Sequence, residues 1–283
     1  MVERRTRFHQ ILPHVVLCLG VLVVVFPVWI AFVASTHDAA TVVNGQFGIV
    51  PGGYFLENYT RALFTGSSKT TREPVLTMLA NSFVMAMAIA LGKIAISTIS
   101  SFAVVYFRFP LRRTIFWLIF ITLMLPVEVR IYPTYKVVSD LWLLDTYAGL
   151  TVPLIASATG TLLFRQFYMT VPDELIEASK IDGAGPWKFF WDTLVPLSMT
   201  TCAALFVIQF IYGWNQYLWP LLITTKDSMQ TIVIGIKRMI VTQDALTEWQ
   251  LAMATAVLAM LPPVLVVVLM QRLFVKGLVE TEK

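Results

Sequence analysis

The chain has 283 residues, of which 57% are hydrophobic and only 13% are charged, and its formal net charge is +4. Soluble domains carry about 25% charged residues, so this chain has too few charges to cover a water-facing surface. The composition therefore excludes a pair of soluble domains, a disordered chain and a nucleic-acid-binding protein. Cys18 and Cys202 lie in apolar runs, which argues against a disulfide framework or a cysteine-based metal site. The sequence predicts an all-α, polytopic membrane protein.

Six segments are apolar enough to cross a bilayer, whose hydrocarbon core requires about 20 residues of helix. We predict transmembrane helices over residues 11–34, 77–105, 114–137, 147–168, 198–223 and 250–271. The first helix follows Arg4, Arg5 and Arg7, as a signal peptide would. Its apolar run is longer than the about 7–15 residues of a signal peptide, so we predict a retained anchor.

The distribution of basic residues predicts the orientation of these helices. An even number of spans places both termini on one side of the membrane. Basic residues follow the second helix at 108–113 and the last helix at Arg272 and Lys276, and both clusters fall on that side. Because Lys and Arg are enriched in cytoplasmic loops, we predict that both termini are cytoplasmic. The predicted layout is a cytoplasmic N-terminus (1–10) and one transmembrane domain (11–283), with an outer loop (38–73), a cytoplasmic loop (170–196) and a cytoplasmic tail (272–283).

The connection between the fourth and fifth predicted helices has helical features of its own. Thr170 and Asp173 fit the S/T-x-x-D/E pattern, which predicts a helix start. Gly183 and Gly185 end that helix, and Pro186 is suited to begin another. Acidic and very small side chains share the first of these helices, namely Glu177, Ala178, Ser179, Asp182, Gly183 and Ala184. Two interpretations stay open: a surface that docks into a basic cleft of a partner, or an interfacial helix that caps the bundle.

The order of residues in this loop resembles a known pattern. The chain reads Glu177-Ala178-Ser179, three residues, Gly183, nine residues and then TLVP at 193–196. This is similar to the cytoplasmic EAA loop of ABC importer permeases, E-A-A-x3-G-x9-I-x-L-P, with residues of similar size at the three positions that depart. The segment FIYGWNQYLWPLL (210–222) resembles the carbohydrate-type permeases of that superfamily. Other strings, such as LFRQFYMTVPDELIEASKIDGA (163–184), resemble the E-type permease subunit of bacterial sn-glycerol-3-phosphate importers.

The resemblance implies a type I (MetI-like) importer-permease fold and a specific set of partners. The chain would form half of a translocation pathway for sn-glycerol-3-phosphate or glycerophosphodiesters, with another sugar or oligosaccharide as the alternative. The implied partners are a second related permease subunit, two ATP-binding subunits on the cytoplasmic side and a periplasmic or lipid-anchored solute-binding protein. The assembly would lie in the inner membrane of a bacterial cell, where loop 170–196 would couple it to the ATPase. The resemblance also implies that ATP and Mg bind to that partner. This chain has no Walker-A sequence, and we expect no cofactor in it.

Polar residues inside the predicted spans are candidates for the translocation path, because such groups are costly in lipid. They are Lys93, Glu128, Arg130 and Asn215. Lys93 either lines the path or has a structural role, which we favour. Glu128 and Arg130 can be assigned in two ways. In the first, both lie at the level of the outer headgroups; in the second, Arg130 faces an anionic solute, since guanidinium matches phosphate oxygens. Asn215 either binds a sugar or glycerol hydroxyl or belongs to an aromatic belt at the outer interface, which we favour.

Two rival classes are disfavoured by the placement of reactive residues. An intramembrane enzyme would need paired catalytic groups within the spans, and the sequence offers none there. The three histidines all lie in the first 37 residues and fit no metal-ligand spacing. A secondary transporter would place coupling acids inside the spans, whereas the acids here concentrate in loop 170–196. We therefore predict a transport subunit and not an enzyme.

Overall fold

The computed structural model describes residues 7–66, 73–122, 127–240 and 247–280, which contain helices and no strands. The helices are α1 (Arg7–Ser35), α2 (Ala39–Val43), α3 (Phe55–Phe64), α4 (Val75–Tyr106), α5 (Arg112–Ile121), α6 (Val127–Asp140), α7 (Tyr147–Ile155), α8 (Ala158–Tyr168), α9 (Asp173–Ile181), α10 (Pro186–Phe189), α11 (Val195–Leu197), α12 (Met199–Trp214), α13 (Leu218–Ile223), α14 (Ile232–Ile240) and α15 (Trp249–Glu280). A π-helical turn (Phe190–Leu194) joins α10 to α11. The all-α prediction is confirmed for the described residues.

Several helices have the length and composition to cross a membrane. Three do so unbroken, at Leu12–Ser35, Val75–Tyr106 and Trp249–Gln271. Two bent pairs add up to two more: α7 with α8, at an angle of 46°, and the segment Pro186–Leu197 with α12, at 71°. The third predicted span falls on α5 and α6, on either side of residues 123–126, which lie outside the described residues. The first, second and sixth predicted spans thus coincide with unbroken helices, and the fourth coincides with a bent pair. The fifth, predicted as one helix over 198–223, is instead divided between α12 and α13 by residues 215–217, and the third stays a prediction.

The chain divides into two compact units, residues 1–77 with 235–261 and residues 78–234 with 262–283. In the first unit, the polar segment after α1 folds back onto the end of that helix. Asn58 of α3 donates from its Nδ2 atom to the carbonyls of Ser35 (2.9 Å) and His37 (2.8 Å). Arg61, also on α3, forms an ion pair of 2.6 Å with Glu248 before α15. The most apolar stretch of α1 is not buried by the described part of the chain, so it is available to lipid or to another subunit.

In the second unit, α4 contributes to two apolar clusters. The Trp219 cluster contains Met85, Ile89, Val138, Leu150, Leu154, Trp219 and Ile223. The Phe190 cluster contains Phe102, Phe164, Tyr168, Phe189, Phe190, Leu194 and Leu205. Lys93 lies between the two along α4, about 6 Å of helix rise beyond Ile89 and about 14 Å before Phe102. A polar layer therefore separates two apolar ones within this unit.

The fourth predicted span is broken into α7 and α8, and its sequence explains the break. Pro153 lacks an N–H, so the carbonyl of Gly149 has no helical donor. The indole Nε1 of Trp219 donates to that carbonyl instead, at 3.3 Å. The backbone turns extended at Ala156, and α8 begins with Ser157 as its N-cap, whose Oγ accepts from the N–H of Gly160 (3.2 Å). The break places a helix N-terminus inside a span.

A carboxylate clasp holds the connection before α7 to the end of α13. Asp145 accepts hydrogen bonds from the Thr225 N–H (2.6 Å), the Thr225 hydroxyl and the Lys226 N–H (2.9 Å). Slight burial raises the pKa of Asp145, but the bonds from Thr225 and Lys226 outweigh it and hold the pKa below its ordinary value. The clasp therefore stabilises the fold above the carboxyl's unfolded pKa, and that contribution is lost as pH falls through the lowered folded pKa.

Helices α4 and α12 approach each other at a glycine. A Cβ atom on Gly213 would lie 2.9 Å from the Cα atom of Ala86, which is backbone and cannot swing aside. Small residues allow this kind of close contact between helices in membranes. Helices α4 and α8 also meet through small polar groups, as the Ser101 hydroxyl donates to the carbonyl of Thr161 at 2.8 Å.

We expect Gly213→Leu to lower the thermal unfolding midpoint of the detergent-solubilised protein, because the new side chain must push α12 off α4. Overpacking of this kind costs about 1–3 kcal/mol. Gly20→Leu is the matched control, since a Cβ atom there meets nothing within 4 Å on the uncovered helix α1. Equal midpoints for the two variants would contradict the close packing.

Candidate functional site

The sequence Glu177-Ala178-Ser179 lies on α9, and no side chain caps the start of this helix. Pro172 is the N-cap of α9 and supplies no side-chain bond. The predicted capping role of Thr170 is wrong, because its hydroxyl donates back to the carbonyl of Phe167 (2.7 Å), at the end of α8. Asp173 and Glu174 occupy the first turn of α9, where the helix dipole favours negative charge.

Gly183 ends this helix in a Schellman motif. Its N–H bonds to the carbonyl of Lys180 (3.0 Å), and the N–H of Ala184 bonds to the carbonyl of Ser179 (2.9 Å). The motif requires a left-handed residue at Gly183, whose φ is +71°, and glycine adopts that conformation without strain. A Cβ atom there would meet nothing within 4 Å. The glycine is therefore required for the turn and leaves open space beside it.

The predicted coupling residues divide between two faces of the loop. Glu177, Ala178, Asp182 and Gly183 are exposed, whereas Ser179 and Ala184 are half-buried. The half-buried pair lines a cavity of about 650 Å³ whose other walls include Tyr106 of α4 and Phe189 of α10. The loop therefore turns one side toward the spanning helices and leaves the other free.

Sequence reasoning missed one member of the free face. Ile181 is 86% exposed and lies four residues after Glu177 and three after Ala178, which places all three on one side of α9. A large apolar side chain in this position, next to the acid Asp182, is a signal that helical spacing could have revealed. We call Glu177, Ala178, Ile181 and Asp182 the α9 surface.

The segment after α9 is fastened to the spans by aromatic packing. The ring of Phe190 lies 5.0 Å from that of Phe102 on α4, measured between centroids, and the ring of Phe189 lies 5.6 Å from that of Tyr106. Both phenylalanines are buried. Burial of such a side chain contributes about 1.5–3 kcal/mol relative to exposure to water. The loop is thus held at its α10 end.

The chain passes from this anchor into α12 through irregular helix. The N–H of Val195 bonds to the carbonyl of Phe190, five residues back, which forms a π-helical turn. Pro196 follows directly and lacks an N–H, so a regular α-helix cannot continue. The hydroxyl of Ser198 then donates to the carbonyl of Leu194 at 2.6 Å, where the chain bends by 71°.

A second candidate site surrounds Lys93. Its side chain is 7% exposed, and its Nζ atom lies 2.8 Å from Oε1 of Gln209 and 4.0 Å from the ring centroid of Tyr212. These residues line a cavity of about 490 Å³ together with Arg130 of α6 and the first residues of α8. The structure thus brings two predicted path residues, Lys93 and Arg130, to one cavity and adds Gln209 and Tyr212, which sequence reasoning missed.

The other two predicted path residues are placed differently. Glu128 lies in the first turn of α6, and its side chain is outside the described residues. Asn215 is the exposed C-cap of α12 and is not among the residues that line the Lys93 cavity. The aromatic residues on either side of it, Trp214 and Trp219, are buried inside the second unit. The aromatic belt at the outer interface stays a prediction.

Comparison with known proteins agrees with the resemblance drawn from the EAA pattern. Residues 93–280 match the family described as binding-protein-dependent transport system inner membrane component. The sn-glycerol-3-phosphate transport system permease proteins UgpE of Brucella melitensis, Agrobacterium fabrum and Yersinia pestis are each 56% identical to this chain over 283 residues. The match covers 100% of this chain and 100% of each relative.

A solved structure has the same architecture. It is a crystal structure of a bacterial ABC transporter involved in the import of the acidic polysaccharide alginate, and one of its chains superposes with a TM-score of 0.80. The superposition covers 96% of this chain and 98% of that one at 20% sequence identity, so it bears on the fold alone. The predicted importer-permease fold is confirmed. With the family match over most of its length, the chain belongs to the family of binding-protein-dependent transport system inner membrane components.

Proposed function

We propose that this permease subunit forms half of a translocation pathway for sn-glycerol-3-phosphate or a related glycerophosphodiester. The observation that carries the substrate is the 56% identity, over the whole chain, to permease subunits of sn-glycerol-3-phosphate transport systems. The subunit itself is not an enzyme; the energy comes from ATP, with Mg, hydrolysed on separate subunits. The other proposed partners are a second related permease subunit and a periplasmic or lipid-anchored binding protein.

The α9 surface is the proposed contact with the ATP-hydrolysing subunit. It presents the carboxylates of Glu177 and Asp182 beside the small Ala178 and the exposed Ile181. Carboxylates offer acceptors to Arg or Lys, the small residue permits close approach, and the apolar side chain buries area on docking. None of the residues of α9 is buried. This favours a surface that a partner completes, and it disfavours a helix that only caps the bundle.

The Phe190 cluster is the proposed route by which movement of α9 reaches the pathway. Phe189 and Phe190 follow α9 closely in the chain and pack against α4, which also carries Lys93. Close-packed side chains transmit displacement because the interior has few voids to absorb it. A shift of the docked loop would therefore move α4 and, with it, the Lys93 cavity.

The proposed orientation follows from the basic clusters and from the docking role. Loop 170–196, the tail 272–283 and the N-terminal residues 1–10 lie in the cytoplasm, and loop 38–73 lies outside. The two loops and the tail belong to one permease domain, residues 11–283. The membrane is the inner membrane of a bacterial cell.

Substrate assignment is tested by uptake into proteoliposomes that contain the chain with its partner permease, ATPase and binding protein. We expect ATP-dependent accumulation of labelled sn-glycerol-3-phosphate or glycerophosphodiester, and none of a neutral disaccharide. Accumulation of the disaccharide alone would assign the subunit to another sugar importer.

In the same vesicles, we expect Gly183→Trp to reduce uptake by about tenfold or more at an unchanged amount of inserted protein, because the indole obstructs docking. Gly183→Asn is the matched control, since asparagine tolerates the left-handed conformation and is small. Its uptake should stay near that of the wild type. Wild-type uptake by Gly183→Trp would remove the docking assignment. Equal losses in both variants would assign the effect to the turn and not to the contact.

Orientation is tested by single cysteines in a background without Cys18 and Cys202. A membrane-impermeant thiol reagent should label cysteines at the exposed positions Thr65 and Ser228 in intact spheroplasts, and should reach cysteines at Arg112 and Lys188 only after the membrane is opened. Labelling of the Lys188 position from outside would overturn the orientation and the coupling role together.

A further inference from the structure

The cavity around Lys93 has an unusual balance of charge. Lys93 is nine-tenths buried, and its described partners are the neutral amide of Gln209 and the face of Tyr212. Arg130 lines the same cavity, and no Asp or Glu is among the described residues that line it. A buried ammonium is costly without a compensating negative charge. Two cations around one cavity therefore favour an anion within it.

The break in the fourth span adds a third attractive element. Residues 157–159 are the N-cap and the first turn of the eleven-residue helix α8. They line the same cavity as Lys93. The first turn of a helix has backbone N–H groups without helical acceptors, and the dipole there favours negative charge. The hydroxyls of Ser100 and Thr161, which lie 3.0 Å apart, also line the cavity. The cavity is therefore lined by hydrogen-bond donors, two cationic side chains and the positive end of a helix dipole.

The size of the cavity suits a small solute. Its volume of about 490 Å³ lies within the range of about 300–1,000 Å³ found for small-molecule sites. An inorganic ion would leave most of this space empty, whereas a phosphate ester with a polyol would use the hydroxyl-bearing walls. Arg130 is exposed, so it can meet a solute that enters, and its guanidinium fits two phosphate oxygens at once.

We propose that this cavity holds the phosphate group of the transported ester as it crosses the membrane, between Lys93, Arg130 and the N-terminal turn of α8. The inference rests on the proposed function, since it assigns the substrate of that function to a site in this subunit. The site selects by charge: a phosphate monoester carries about −1.5 to −2 near pH 7, and a phosphodiester, with a single ionisable oxygen, carries about −1. Arg130 contributes more to the passage of a monoester than to that of a diester.

The test compares uptake of sn-glycerol-3-phosphate and of a glycerophosphodiester by the complete complex in proteoliposomes. We expect Arg130→Gln to slow monoester uptake by about tenfold, which corresponds to about 1.4 kcal/mol, and to slow diester uptake by less. Arg130→Lys should recover part of the monoester rate, because it keeps the charge and loses the planar fork. Lys136→Met is the matched control, because this exposed cation on the same helix α6 pairs with Asp140 and is not among the lining residues.

The outcomes separate this site from the proposed function. If the wild type transports phosphate esters and Arg130→Gln is as active as Lys136→Met, the site is overturned and the function stands. An equal loss of monoester and diester uptake in Arg130→Gln, with no recovery in Arg130→Lys, would indicate a structural role for Arg130. That result would overturn the site as well. If the wild-type complex transports no phosphate ester, both proposals fall. Lys93→Met extends the test to the buried cation when the amount of assembled complex matches the wild type, and unchanged monoester uptake would contradict its role.

A lipid headgroup is the other source of phosphate at this depth, and the vesicle lipid distinguishes it. The defect of Arg130→Gln should have the same size in vesicles of a neutral, phosphate-free glycolipid and in vesicles with added phosphatidylglycerol. A defect that appears only with the phospholipid would assign the cavity to a headgroup and overturn the solute site.

Discussion

The packing of Phe189 and Phe190 against α4 holds the segment after α9 in place, and the proposed coupling depends on it. Helix α9 has no buried residue, so it has little packing of its own to hold it in place. The two rings directly after α9 and its glycine turn supply that packing, at 5.0 and 5.6 Å from Phe102 and Tyr106. A surface that must both bind a partner and move with it requires such an anchor, because free helices of this length are not stable in water.

The second constraint is the cost of polar groups in lipid. The interruption between α7 and α8 has compensating bonds: Trp219 satisfies the carbonyl that Pro153 leaves free, and Ser157 caps the new helix. Irregular backbone is tolerated at membrane depth where it is buried in protein or lines a cavity. The break between α7 and α8 lines the Lys93 cavity, so the structural cost and the proposed binding site occur at the same place.

Much of this architecture could be predicted from the sequence, because long apolar runs and a spaced motif are local signals. The runs located α1, α4 and α15, and the Glu177 to Pro196 pattern located the helical segment of α9 and α10 that we propose as the coupling loop. The break at Ala156 could not be predicted, because Pro153 alone is also compatible with a helix that is kinked and not broken. The sequence does not show that Trp219 donates to the carbonyl that Pro153 leaves free. The same holds for Gln209 beside Lys93, because the two residues are 116 positions apart. Thr170 fitted a capping pattern, yet a nearer acceptor on α8 took its hydroxyl.

The central claim is that aromatic packing converts movement of the docked loop into movement of the spans. It is tested most directly by the number of solute molecules transported per ATP hydrolysed in the reconstituted complex with Phe190→Ala. We predict that hydrolysis continues and that this ratio falls by about tenfold or more, whereas Met199→Ala, at an exposed apolar position on α12, leaves it unchanged. An unchanged ratio in a fully assembled Phe190→Ala complex would contradict the account.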